Sequence, residues 1–269
     1  TILLNTINHK EINMKIEYRH SASKTNTFID SPPRWIIDNL YDFESQPNAR
    51  MIMGSTAEDA ADHALQNQIT DEEVIIDYAK NLYTTKYKGD ATDDECLWSG
   101  IIATQFVKEL PQFGKIVSWQ NELQIPGDKY GLTYDVIGKT DFEFENVIID
   151  TKATAYIKRL KNGSIDSRWY PKAADMRQQA LYKDLFNKPT ALLYCSYKDV
   201  YSVDMEEREG YLEPMLQAMH NIEHILNIAK TKEDVVKMYP LVMDNFRWGK
   251  HDDDPTKVFA KKIWQKAFN

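Results

Sequence analysis

Gly138-Lys-Thr-Asp141 and, one short turn later, Val147-Ile-Ile-Asp150-Thr-Lys152 are the stretches on which the reading of this chain turns. Alternate side chains of a strand share a face, so Asp150 and Lys152 point one way and Thr151 the other. The apolar run before Asp150 marks a buried strand, and a carboxylate at the end of such a strand is costly unless a cation meets it. Asp141, delivered by the neighbouring strand, supplies a second carboxylate. Two hard oxygen donors suit Mg²⁺ or Mn²⁺, with Lys152 placed to orient or activate a water. An ordinary ion pair between Asp150 and Lys152 is the plainer reading of the same tripeptide.

A helix is predicted from Pro171 to Phe186. Pro171 suits a first helical turn, and Lys172-Ala-Ala-Asp-Met-Arg-Gln-Gln-Ala-Leu-Tyr182 is rich in helix formers. Gln178 and Tyr182, four apart, are neighbours on one face. Gln178 can hydrogen-bond a phosphate or the backbone, and Tyr182 offers a ring and a hydroxyl. On the plainer alternative this helix only packs Met176, Ala180 and Leu181 into a core.

Gly138-x-x-Asp141, Asp150-x-Lys152 and Gln178-x-x-x-Tyr182, in this order, resemble the PD-(D/E)XK nuclease superfamily. The likeness is to its branch of RecB-type nuclease domains and lambda-type phage exonucleases. The three motifs span 138–182, and matching features extend to roughly 20–205. The resemblance implies an α/β fold: a restriction-endonuclease-like core with a mixed central sheet flanked by helices, plus helical N- and C-terminal additions. It also implies a metal-dependent deoxyribonuclease, an exonuclease of phage-type recombination more than an endonuclease. Asp141, Asp150 and the Thr151 carbonyl would then bind Mg²⁺ or Mn²⁺, with Lys152 at the attacking water. Gln178, Tyr182, Arg159, Arg168 and Arg177 would hold the DNA strand.

The same family places an acidic residue on an N-terminal helix, and Gly54-Ser-Thr-Ala-Glu58 matches that pattern. Ser55 or Thr56 would cap the helix, and Glu58 would reach the metal directly or through water. Favourable charge in a first helical turn explains Glu58 equally well. Glu122, expected on the strand before Asp141, is a second-rank candidate. The implied partners are DNA and a single-strand annealing or recombination protein, and homo-oligomeric rings are known among such exonucleases. The rival reading is a catalytically weak or inactive DNA-binding module on the same fold.

At 269 residues the chain is long enough for one domain. Its parts are read as helical over 1–112, an α/β catalytic core over 113–205, and helical over 206–269. Two cysteines cannot supply a four-cysteine iron–sulfur cluster, and they match a reducing cytoplasm, in a host cell if the protein is viral. No stretch approaches 18 continuous apolar residues, which excludes a membrane partner of the spanning kind. The net charge of −8 argues against a broadly basic nucleic-acid footprint. Yet from Lys152 to Lys188 there are nine Lys or Arg against three Asp, so the basic residues gather around the candidate centre. Trp169 and Tyr170 either stack on an unpaired base or belong to a core.

Helices are expected near 34–41, 56–67, 71–85, 93–110, 207–229, 231–239 and 255–267. Strands are expected at 115–125, 132–144, 146–153, 190–197 and 199–204, with a turn at Glu145-Asn146.

Overall fold

The computed structural model describes residues 17–41, 43, 47–204, 210–248 and 251–269. In chain order the helical N-terminal part contains β1 (His20–Ser21), α1 (Ala22–Asp30), α2 (Pro32–Leu40), α3 (Ala49–Gln66), α4 (Glu72–Thr85) and α5 (Asp94–Glu109). The middle contains β2 (Ile116–Trp119), β3 (Glu122–Ile125), β4 (Val136–Lys139), β5 (Phe142–Phe144), β6 (Ile148–Ala153), α6 (Ala173–Phe186), β7 (Thr190–Cys195) and β8 (Val200–Asp204). The chain closes with α7 (Leu212–Ile228), α8 (Lys232–Lys237) and α9 (Pro255–Phe268). The protein is α/β, with mixed β-structure flanked by helices.

The chain separates into two compact units. The first draws on the described chain up to Phe43, on Pro126–Asp135 and on residues from Leu216 onward. Trp35, Ile36, Ile222, Val235 and Trp248 are fully buried at its core. Glu223 organises part of this unit: it accepts hydrogen bonds from the Thr133 and Tyr134 N–H groups, each at 2.8 Å, and pairs with buried His20 at 3.1 Å. Burial lowers the His20 pKa more than Glu223 raises it, so the pair is a neutral imidazole on a carboxylate.

The second unit comprises 45–125 and 136–215 and carries a five-stranded sheet of order β2-β5-β6-β7-β8. Only β6 and β7 run parallel, joined through α6 as a crossover; the other neighbours are antiparallel. Side-chain alternation sorts the two faces. Ile149, Ala191, Leu193 and Cys195 pack with Phe142 and Phe144 against α3, α4 and α5. Leu192 and Tyr194 point the other way, to Met176 of α6. Each fully buried Phe or Ile contributes roughly 1.5–3 kcal/mol. The same alternation sends Asp150 and Lys152 to the α6 side of the sheet.

Several boundaries differ from those expected. The predicted strand 115–125 breaks at Gln120, whose φ of 50° leaves the extended region, so β2 and β3 join different sheets. The predicted strand 132–144 also divides, into β4 and β5. The helix expected from 56 begins at Ala49 and is capped by Asn48, which accepts from Met51 N–H. Ser55 and Thr56 therefore cap nothing, and Glu58 lies in mid-helix, outside the first turn. Pro171 precedes α6 instead of opening it. A helix not expected, α1, ends at Asp30, with Ser31 as its C-cap just before Pro32-Pro33. The expected start of the 207–229 helix falls outside the described residues. Asp71 caps α4, accepting from the Glu73 and Val74 N–H groups.

Candidate metal centre

β5 and β6 pair Phe142 with Ile149, and one step further along that register Asp141 stands opposite Asp150. Here the ladder between the strands gives way to a side chain. Asp141 Oδ2 accepts from the Thr151 N–H at 2.8 Å and from its hydroxyl at 3.1 Å. N–H and C=O of one strand residue leave on the same side, so the Thr151 carbonyl also projects toward Asp141. The Asp141 carboxylate therefore lies against the β6 backbone at Thr151, next in sequence to Asp150.

Asp150 is 1% exposed, and each of its oxygens has a distinct neighbour. Oδ1 accepts from Gln178 Nε2 at 3.0 Å. Oδ2 meets the Lys152 ammonium as an ion pair without hydrogen-bond geometry. Gln178 Nε2 also donates to the Tyr182 hydroxyl at 3.1 Å, and Lys152 Nζ donates to Gln178 Oε1 at 3.4 Å. Lys152, Asp150, Gln178 and Tyr182 form one connected group. Tyr182 is buried, so its hydroxyl reaches Gln178, an arrangement suited to fixing that amide.

Glycine has a definite part in this. A Cβ at Gly138 would lie 2.9 Å from Leu185 Cδ1 and 3.0 Å from Phe186 Cε2, so a larger residue there requires these two α6 side chains to shift. Gly54 carries no such requirement: a Cβ there would meet Ala153 Cβ at an ordinary 3.9 Å.

Charge is the distinctive property of the site. Glu58 on α3 is half-buried, and its carboxyl pKa stands well above the ordinary value because of burial, then repulsion from Asp141. Asp150 is pushed up to about 7: burial raises it most, Lys152 opposes, and Asp141 adds to the rise. Burial alone would depress Lys152, but Asp150, Asp141 and Asp175 keep its ammonium protonated. Three carboxylates therefore share one lysine, leaving negative charge that only protons or a bound cation can offset. All the donors are hard oxygens, and one of them, Asp150 Oδ2, is buried with the Lys152 ammonium against it. The residues fit a divalent ion. Among the described residues, however, no three His, Cys, Asp or Glu side chains are already closed around a common point.

Asp175 was missed from the sequence. It lies at i, i+3 and i+7 with Gln178 and Tyr182, a spacing that places it on the same face of α6. It accepts from the buried Tyr194 hydroxyl at 2.6 Å and raises the pKa of both Asp150 and Lys152. That spacing was legible; its connection to Tyr194 across the β7 crossover was not.

The other candidates fall out differently. Glu122 is exposed on β3 opposite Lys139 of β4, two residues beyond Gln120, whose N–H donates to the Asp141 carbonyl at 3.0 Å, so its segment runs beside that of Asp141. Arg159 pairs with Asp199 at 3.0 Å and Arg168 with Asp166 at 2.8 Å. Lys188, counted in the basic strip, pairs with Glu143 at 2.5 Å. Much of the local positive charge is thus already compensated, which corrects the picture of a freely basic rim. Arg177 is half-buried on α6. Tyr170 is buried against Tyr194, whereas Trp169 is 56% exposed.

A pH dependence follows. In metal-free protein the folded state holds a proton on Asp150 up to about pH 7, while the unfolded chain releases it near 3.8. More protons bound in the folded state means that this group's contribution falls as pH rises between those values, by up to about 1.4 kcal/mol per pH unit. Urea unfolding in EDTA at several pH values, wild type against Asp150→Asn, isolates it. The difference in stability should grow in favour of the variant from pH 4 to pH 7; a constant difference contradicts the burial argument.

No protein-family model and no curated protein matches the chain. Among solved structures, an archaeal protein described as "Crystal structure of SSO0001" aligns over 84% of this chain and 87% of its own, at 12% identity and a TM-score of 0.41. This likeness is too distant to assign a fold family or an activity. Among the described residues no helix is long and apolar enough to cross a membrane.

Proposed function

We propose that this chain is a divalent-metal-dependent deoxyribonuclease on a PD-(D/E)XK core, an exonuclease of phage-recombination type. One observation carries the reading. A buried aspartate with a raised pKa is held by Gln178, faces Lys152, and shares its site with Asp141 and Glu58.

Asp141, Asp150, the Thr151 carbonyl and Glu58 would hold Mg²⁺ or Mn²⁺, which when bound neutralises charge on the scissile phosphate and acidifies a water. The remaining work falls to the chain itself. Thr151 fixes the Asp141 carboxylate through two hydrogen bonds. Gln178, steadied by Tyr182, orients Asp150 through Oδ1. Lys152 stays protonated, so its role is to position the attacking water and stabilise charge developing on the phosphate oxygens. Asp175 keeps that ammonium charged from the α6 side.

The Lys152–Asp150 ion pair favours one other reading, a catalytically inactive DNA-binding module in which the lysine permanently substitutes for the metal. Incubation with end-labelled linear, nicked and covalently closed circular DNA decides between them. Metal-dependent shortening of linear DNA, with closed circles spared, is the expected result. Binding without hydrolysis in either Mg²⁺ or Mn²⁺ establishes the module instead.

Metal binding has its own measurement. A ligand at 100 times its Kd stabilises the folded state by about 2.7 kcal/mol. At about 2–4 °C per kcal/mol for a protein approaching this size, Mn²⁺ should raise the thermal midpoint by roughly 5–10 °C. Asp141→Ala should abolish the shift. An equal shift in that variant places the ion elsewhere.

A further inference from the structure

The segment that leaves Lys152 carries two aromatic rings that the fold does not use. Along 155–158 burial alternates: Ala155 and Ile157 are buried, Ile157 in the sheet's α6-side core, while Tyr156 and Lys158 face out. Tyr156 is 63% exposed. Lys158 Nζ sits 4.5 Å from the centroid of Trp169, itself 56% exposed, and Lys158 and Tyr156 share the outward side of the segment. That surface is anchored from below. The buried Tyr170 hydroxyl donates to the Tyr156 carbonyl at 3.0 Å and meets the Thr154 hydroxyl at 3.1 Å. Leu160 N–H donates to the Ser164 carbonyl at 2.8 Å, closing the intervening turn. The rings are therefore held out by an ordered segment, an arrangement in which large apolar area is left in water without a packing reason.

Position and charge identify the occupant. Tyr156 is four residues beyond Lys152, within about 14 Å of it even if the chain is fully extended. From 154 to 172 there are five Lys or Arg against one Asp; Arg159 and Arg168 are paired with Asp199 and Asp166, and Lys158 lies 4.0 Å from Asp166, yet with Asp199 counted the balance around the exposed rings stays positive, five against two. We propose that Tyr156 and Trp169 form a stacking platform for unpaired bases of a single DNA strand, with Lys158 beside them for its phosphates. The proposal rests on the nuclease reading above and adds the form of the substrate: the strand reaches the carboxylates with its neighbouring bases unstacked from a complement. Base–aromatic stacking tolerates any base, so the platform grips without sequence preference.

Fluorescence anisotropy in EDTA tests this, with a labelled oligothymidylate and a blunt hairpin duplex as probes. The double variant Tyr156→Ala/Trp169→Ala should bind the oligothymidylate about 10- to 100-fold more weakly, with the duplex affinity unchanged. Tyr156→Phe/Trp169→Phe keeps the rings and should bind within about threefold of wild type. Single-strand affinity within twofold of wild type in the alanine pair overturns the platform, as does equal loss on both probes or a wild type that does not bind the oligothymidylate. The two readings fail separately. Binding lost in the alanine pair of a protein that never hydrolyses DNA leaves the platform and removes the nuclease. Hydrolysis with unaltered alanine-pair binding does the reverse.

Discussion

Asp150→Asn should leave a folded protein that binds DNA and no longer cuts it. The change removes a charged oxygen donor and keeps an acceptor, Asn Oδ1, for Gln178 Nε2, whose present hydrogen bond is 3.0 Å long. Hydrolysis should fall by about 10²–10³-fold, the scale lost when one preorganised electrostatic group is withdrawn from a catalytic site. DNA affinity should hold or rise, because a charge that repels phosphate has gone. The contrast is in stability: metal-free Asp150→Asn should gain on wild type at pH 8, where wild type bears a buried carboxylate whose proton is held up to about pH 7. Gel-based hydrolysis, DNA binding and urea unfolding on one preparation separate these effects. Turnover within tenfold of wild type removes Asp150 from the chemistry.

Lys152→Ala should be at least as damaging to turnover for a different reason. The metal's ligands are oxygens, so the Mn²⁺-dependent thermal shift should survive while kcat falls by about 10²–10⁴, the usual cost of losing a group that manages a proton or a developing charge. Without the ammonium, Asp150 and Glu58 lose the neighbour that lowers their pKa values, and both should hold protons to still higher pH in metal-free protein. The onset of metal binding should therefore move to higher pH in the variant. Turnover close to wild type would reduce Lys152 to the strand-end ion-pair partner that its sequence position also allows.

What the amino-acid sequence determined by itself is the set of local, periodic features. The run Val147–Ile149 into Asp150-Thr-Lys152 had to be a strand with the two charges on one face, because strand side chains alternate. The turn at Glu145-Asn146 and the Gln178–Tyr182 face of α6 follow from equally short-range rules. Tertiary structure decided whatever depends on distant chain. Gln120 could have continued a strand, but its left-handed backbone divides β2 from β3, which join different sheets. Glu58 is an ordinary helical glutamate until α3 lies against β6. Asp175 joins the site only because the β7 crossover brings Tyr194 beneath it. The raised pKa of Asp150 belongs to the same class: burial and the approach of Asp141 cause it, and neither is encoded within a few residues of position 150. Periodicity is a property of neighbours in sequence, whereas desolvation and Coulomb repulsion are properties of neighbours in space.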